Sequence, residues 1–577
     1  MNRKRFLSAS TSFLVIASLF LTACNSSSDK NISTDPAIIA KGETEFSKNC
    51  SSCHNFRQDA IGPQLGGITE TTSPKWIKSF IKDPKATVES GDERGRKLVA
   101  QFKTMMPSFG YLSEEDLDAL VAYLHTQQAP KQMLETGGEQ ELPDPIPGPI
   151  QSSDLAVGLE LVAQMPFVSE KGFRTRITKL DYIPGSDRDF VVDIYGKLYE
   201  LRNGKPAVYM DIAKLRPNFI NKPGLATGFG SFAFHPEFTK NGLLYTGHAE
   251  APHSATADFH YADSIPVTLQ WVVTEWKVDE PGNFPFKGKG RELFRIDMVT
   301  GMHGVQEITF NPNSKPGDDD YGLLYIGIGD GACVEAGYPF LVNSITRPWG
   351  TIFRIDPRGN DSANNHYGIP PANPFVNDPN KEALGEIYAY GFRNPHRITW
   401  TKAGQMISSH IGQAKVEELN LILPGHHYGW PMREGTFVIH PTGDINKVYP
   451  LPSDDTKTDF TYPVAQYDHD DGAAVSGGFE YTGTACPELK GKYLFADMNN
   501  GRLYYLDLSE VKSGNLAAIK EWKVLFNGKA TTTAELCGSK RVDLRFGKDQ
   551  NGEVYIFSKQ DGKVYRLIPS GTSISKL

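Results

Sequence analysis

Three kinds of hydrophobic pattern follow one another along the chain. The first is an unbroken apolar run, Phe13 to Leu21, behind a charged start of Arg3, Lys4 and Arg5. It is short for a membrane span and reads as an export signal ending in Leu21-Thr22-Ala23-Cys24. In the second, apolar residues recur at helical spacing. Ala37 to Asn49 reads as a helix with Gly42 and Phe46 on one face, and Leu117, Leu120, Val121 and Leu124 form the stripe of another. Ser113-Glu114-Glu115-Asp116 starts that second helix, with acidic side chains where its first N–H groups lack partners. From residue 156 the pattern changes again, to short β-rich runs preceded by Gly or Asn turns. They occur at 190–199, 242–247, 322–330, 404–407, 491–496 and 552–557. Six returns at roughly 50- to 90-residue intervals predict a six-bladed β-propeller whose loops converge on a polar mouth at the axis. A β-sandwich array is the alternative, but no linker divides residues 156–570.

The expected organisation is therefore mainly β, a six-bladed propeller preceded by a small all-α domain. Residues 1–23 are the signal peptide, 24–34 a polar tether, 35–128 the helical domain, 129–155 a linker and 156–570 the propeller. The linker carries Gly137-Gly138 and then Leu142-Pro143-Asp144-Pro145-Ile146-Pro147-Gly148-Pro149, whose prolines remove donors and hold an extended path. A chain of 577 residues is too long for one core. Its Gly 55, Pro 38 and Tyr 24 agree with many strands and turns, and its net charge of -8 argues against nucleic acid as a partner. Six cysteines are few for an exported chain of this length. Outside the motifs below stand Cys333, Cys486 and Cys537, at most one bridge and one thiol.

The helical domain contains Cys50-Ser51-Ser52-Cys53-His54. Alone, C-x-x-C suits a dithiol redox pair or half a zinc site. The adjacent His makes it a c-type haem attachment, with Cys50 and Cys53 bonded to the porphyrin and His54 under the iron. Met105-Met106-Pro107-Ser108-Phe109 resembles the methionine loop of class I cytochromes c, which implies Met106 as the second iron ligand, with Met105 as the alternative. In that family the carbonyl of the Pro in Gly62-Pro63 orients the axial His, and Gly42, Phe46 and Tyr123 mark the helix crossing. Leu21-Thr22-Ala23-Cys24 resembles a bacterial lipobox, which implies lipidation of Cys24.

The large domain resembles the glucose/sorbosone dehydrogenase family. The matches run in family order through Phe234-His235-Pro236-Glu237-Phe238, Gly329-Asp330-Gly331, Arg354-Ile355-Asp356-Pro357 and Tyr390-Gly391-Phe392-Arg393-Asn394-Pro395, then Tyr428-Gly429-Trp430-Pro431 and Gly477-Gly478-Phe479-Glu480-Tyr481. The resemblance implies a six-bladed propeller that oxidises sugars with pyrroloquinoline quinone (PQQ) and Ca²⁺. It gives His303 the role of catalytic base, Arg393 that of polarising the quinone oxygens, and Asn394 a cofactor contact. The carbonyls of Gly412 and Gln413 would bind calcium. The cofactor carboxylates would meet Lys540 and Arg541, because the family's cationic positions fall at Asn499, Lys540 and Val542. Met302 and Ala226 replace polar family residues that contact sugar. His235 reads as a turn residue, and Asp330 as one that anchors a loop.

The expected function is a membrane-tethered quinohaemoprotein oxidoreductase of the bacterial cell envelope, facing the periplasm or the outer surface. It would oxidise a sugar or related alcohol or aldehyde and pass electrons through haem c to an acceptor such as another cytochrome. The rival is an electron-carrier cytochrome c with a non-catalytic, glycan- or protein-binding propeller, favoured by the thinned cation cluster.

Overall fold

A computed structural model describes residues 32–50, 54, 56, 62–102, 105–128, 140–170, 172–222, 226–413, 415–453, 455 and 459–571. The expected lipidation site, Cys24, and the second haem cysteine, Cys53, lie outside the described residues, as does the leader.

The helical domain is framed by helices Pro36–Asn49 and Glu114–Thr126. The first is capped by Asp35, whose carboxylate accepts the Ala37 N–H at 2.8 Å, with Pro36 at the position that needs no donor. The second opens on a reciprocal capping box between Ser113 and Asp116. The two cross at Gly42, where a Cβ would stand 1.9 Å from the Ala119 carbonyl oxygen, so only glycine allows the approach. Beside the crossing, the Phe46 ring lies 4.6 Å from Phe56 and 5.6 Å from Tyr123. Leu117, Leu120, Val121 and Leu124 are buried beneath it, the stripe read from the sequence.

The second domain is a propeller of antiparallel sheets. Three are separate four-stranded sheets, and the rest of the ring is a 13-stranded sheet in which parallel pairings join neighbouring blades. The innermost strands of the six blades are Ile177–Tyr182, Phe229–Phe234, Val305–Phe310, Pro395–Trp400, Val475–Glu480 and Leu544–Lys548. Each packs on the next and the last on the first, closing the ring. The second strands are Asp189–Asp193, Leu243–Glu250, Leu324–Ile328, Met406–His410, Lys492–Asp497 and Val554–Ser558. All six β-rich runs read from the sequence include these second strands, and the first, 190–199, also reaches into the next strand, Lys197–Arg202. They are the most regular because they are covered by a strand on both sides and by a blade on both faces.

The last blade is completed by Gln151–Gln164, which pairs antiparallel with Lys563–Ile568 and parallel with Lys520–Phe526. This strand begins ahead of the expected boundary at residue 156. The described part of the linker is also fixed to the propeller. Three of its N–H groups are anchored there: Leu142 bonds to the Val448 carbonyl at 2.9 Å, and Ile146 and Ile150 bond to Asp468 and Asp471. Proline marks an extended path, but not which surface that path lies on.

Inside the ring the inner strands are tied by a buried ion triad. Glu307 accepts from Lys179 Nζ at 2.6 Å and lies 3.3 Å from Arg397 Nη1. Lys179 also reaches the Phe232 and Ile308 carbonyls, and Arg397 the Gln306 and Thr178 carbonyls. The triad plugs the axis, leaving a mouth at each end; Arg397 lines both. Cys333, Cys486 and Cys537 stand as separate thiols, the first two buried.

Candidate functional site

Two cavities carry candidate chemistry. The first, in the helical domain, is walled by apolar side chains including Leu65, Trp76, Ile77, Phe80 and Leu120, with Cys50, His54 and Met106 on its surface. His54 Nδ1 stands 2.8 Å from the Pro63 carbonyl oxygen. A carbonyl can only accept, so Nδ1 carries the proton and Nε2 keeps the lone pair for a metal. A Cβ on Gly62 would stand 2.4 Å from the His54 ring, so the loop must pass there as glycine. Met106 lines this cavity and Met105 does not. An apolar chamber with a fixed imidazole and a thioether fits haem c, whose reduced iron such a ligand pair favours. Met106→Ala is expected to abolish the weak sulfur-to-iron absorption band of the oxidised protein, and Met105→Ala to retain it. Optical spectra of the two variants check the assignment.

The second cavity, about 160 Å³, lies at one end of the propeller axis. Its walls follow a positional rule. They come from the residues just before and at the start of an inner strand (Ala226, Met302 and His303, Asn394, Ala474, Arg541 and Asp543) and from those just after a second strand (Ile411, Met498 and Asn499, Lys559). These loops are where neighbouring blades converge, so residues far apart in sequence meet there.

His303 is held in the left-handed backbone region, at φ 48°. A non-glycine residue there is strained, and such strain persists only where the surroundings fix it. Here the fixing group is Asp330, fully buried, whose Oδ1 lies 2.8 Å from His303 Nδ1. Asp330 Oδ2 accepts from Trp430 Nε1 at 3.0 Å, and Oδ1 also accepts the Ala332 N–H. With the Asp330 carboxylate accepting at Nδ1, the ring keeps a lone pair on Nε2. Burial, followed by the nearby Arg393 charge, pushes the imidazole well below its ordinary pKa, so it is neutral and able to take a proton. Burial raises Asp330 to about 6. Asp330 thus anchors the loop and also orients a base.

Asn394 faces the cavity, but Arg393 lies behind its wall. The guanidinium is 4% exposed, bonded to Glu335 Oε1 at 2.7 Å through Nη2 and to the Gly412 carbonyl at 2.7 Å through Nη1. The carbonyl expected to bind calcium is thus hydrogen-bonded to a cation. Among the described residues no group of three or more His, Cys, Asp or Glu side chains is arranged to hold a metal. A positive charge thus already stands at the carbonyl where the cation was expected, and calcium enters no step below. Lys540 is exposed and does not line the cavity, whereas its neighbour Arg541 does.

Sequence reasoning missed Arg545 and Lys559. Both line the cavity, fully enclosed, and share Asp543, at 2.8 Å and 3.4 Å. Burial brings the Lys559 ammonium down to about 7 and Arg545 to about 10. Asp543 is held below the usual carboxylate range by Arg545 and Lys559, against the opposing effect of burial. The expected thinning of positive charge is thus made up from other loops. Lys559 follows its second strand as Asp330 and Asn499 follow theirs, so the blade register was the signal for it. His235 is far from this chemistry. Its Nδ1 accepts the Glu237 N–H at 3.0 Å inside a buried turn.

The glucose/sorbosone dehydrogenase family pattern matches residues 191–566. The chain belongs to this family. A cytochrome c pattern matches residues 39–128, so this glucose/sorbosone dehydrogenase family member carries a haem domain fused ahead of its propeller. It is similar to HIPL1 protein of Arabidopsis thaliana, with 26% identity over 393 residues, 59% of this chain and 53% of that protein. It is also similar to quinoprotein glucose dehydrogenase B of Acinetobacter calcoaceticus, with 24% identity over 235 residues, 37% and 42% of the two chains. The chain spans about half the length of the curated relatives it matches. A solved glucose dehydrogenase shares its fold, with a TM-score of 0.50 and 17% identity over 71% of this chain and 98% of that one.

Proposed function

We propose that this family member is a quinohaemoprotein dehydrogenase that binds PQQ in the axial cavity, oxidises a sugar-like alcohol or aldehyde there, and delivers electrons to its own haem c. We further propose that it is lipid-anchored at Cys24 in a bacterial envelope and is reoxidised by another cytochrome. One observation carries the reading. An oriented neutral base, His303, opens into a cavity whose buried Arg545 Nε, Arg541 Nε and Asn394 Oδ1 have no hydrogen-bond partner among the described residues. Buried polar atoms without partners are costly, and guanidinium donors of this kind suit a carboxylate-bearing cofactor.

PQQ, when bound, would supply the two-electron acceptor. The protein's part is to hold and orient. Arg541, Arg545 and Lys559 would bind cofactor carboxylates, and Asn394 would accept a hydrogen bond. His303 Nε2 would take the substrate hydroxyl proton as hydride leaves carbon. Arg393, neutralised by Glu335, would stiffen the wall behind the base. Apolar Met302 and Ala226 leave few fixed partners for sugar hydroxyls, so discrimination among aldoses should be poor.

The test is calorimetric titration of PQQ into the haem-loaded protein, then optical detection of haem reduction on adding aldoses. Absence of PQQ binding at about 100 µM, far above a useful cofactor affinity, overturns the reading and leaves the binding-scaffold rival. A pH signature should accompany binding. Lys559 is neutral above about pH 7 in the free cavity, and an anion beside it favours its charged form. Binding should therefore take up a proton above pH 7 and weaken as pH rises. Lys559→Met should remove both effects, as read from the buffer dependence of the binding enthalpy.

A further inference from the structure

We infer that Arg541 belongs to both cavities, pairing with a haem propionate on one side and facing the axial ligand on the other. It thereby fixes the haem edge at the rim of the catalytic chamber and sets the haem's potential.

The wall of the haem cavity supplies the first observation. Among the described residues that line it, the others are apolar or are the haem-binding residues, and the one permanently charged group is Arg541, contributed by the propeller. The same side chain lines the axial cavity with His303, Arg545 and Lys559. A haem carries two propionate carboxylates, and a carboxylate in an apolar chamber needs a charged partner. Among the residues lining this chamber, the helical domain offers none.

The state of the side chain supplies the second. Arg541 Nε is buried and has no hydrogen-bond partner among the described residues. The guanidinium carbon lies 5.1 Å from the Phe173 ring centroid, which limits where the group can swing. Its backbone N–H donates to Ser539 Oγ at 3.2 Å, while that hydroxyl donates to the Arg541 carbonyl, fixing the base of the side chain. Five donors in a planar fork can serve anions on two sides, which an ammonium does less well. A second contact joins the domains on the surface: the Lys222 ammonium of the propeller lies 5.3 Å from the Tyr111 ring of the helical domain.

A fixed positive charge beside the haem disfavours the more positive ferric state, so Arg541 raises the midpoint potential. The pairing with haem stands on the cytochrome domain alone; its use in receiving electrons from the axial cavity rests on the function proposed above.

The experiment is spectroelectrochemical titration of the haem-loaded, PQQ-free full chain for wild type, Arg541→Gln, Arg541→Lys and, as a charge control on an exposed strand, Lys529→Ala. Arg541→Gln is expected to lower the midpoint potential with its low-spin spectrum intact, Arg541→Lys to recover most of the loss, and Lys529→Ala to match wild type. Equal potentials for wild type and Arg541→Gln overturn the inference. So does a loss that lysine does not recover, because the effect would then be one of packing. If Arg541→Gln does not fold, Arg541→Met beside Arg541→Lys makes the same comparison. Failure of wild type to bind PQQ would sink the dehydrogenase reading and leave these potentials to be judged separately.

Discussion

His303→Ala is expected to lower turnover by about 10²- to 10⁴-fold, the usual contribution of a positioned proton acceptor. The ring is buried, neutral and held through Nδ1 by Asp330, so replacing it removes the base without removing a charge. PQQ affinity should change little, because the carboxylate-binding donors belong to other loops. Asp330→Asn should cost less and act through tautomer, since an amide no longer obliges Nδ1 to carry the proton. The pH profile gives the same information. Asp330 lies near 6, so below that pH it takes a proton, loses its hold on Nδ1–H, and the base loses its preferred tautomer. Turnover should therefore rise with pH through about 6, and this limb should vanish in Asp330→Asn. Stopped-flow haem reduction measures both variants. A His303→Ala enzyme within tenfold of wild type would remove His303 from the mechanism.

The second large effect is on stability. Glu307→Ala is expected to destabilise the propeller by roughly 3–5 kcal/mol, the cost of leaving buried Arg397 without its anion and Lys179 with Asp181 alone. Lys179 and Arg397 both face Glu307 inside the ring; Lys179 also lies 3.3 Å from Asp181, and both cations bond backbone carbonyls of neighbouring inner strands. Removing the carboxylate thus loosens the joints between blades. Urea denaturation followed by tryptophan fluorescence reports it, because the Trp residues at 271, 349 and 430 are buried in the propeller. A loss below about 1 kcal/mol, the worth of an exposed pair, would mean that the triad is solvated.

Much of the fold was legible because its signals are local. The helical stripe from Leu117 to Leu124 and the capping residues before it need no distant partner to be recognised. The six β-rich runs marked the blades because second strands are enclosed on all sides and so carry the most uniform hydrophobic pattern. His54 and Met106 could be read for the same reason, since haem ligation is written in adjacent residues. The axial cavity was harder. Arg545 and Lys559 have no motif around them, and only the register of the sixth blade brings them beside Asp543. The engagement of Arg393 by Glu335 was likewise invisible, as the two residues are 58 apart in sequence and meet only across a blade interface. Propeller topology delivers such pairs by closure, which a linear pattern does not encode.

The strand Gln151–Gln164 imposes an order on biosynthesis. It is among the first parts of the propeller to be made, and its antiparallel partner, Lys563–Ile568, is among the last. The last blade, and with it the ring, stays incomplete until nearly the whole chain has been synthesised. The cytochrome, complete by residue 128, can fold and receive its haem while the propeller is still open. Closure then draws the segment after the linker into the last blade, so the ring is sealed beside a helical domain that was made first.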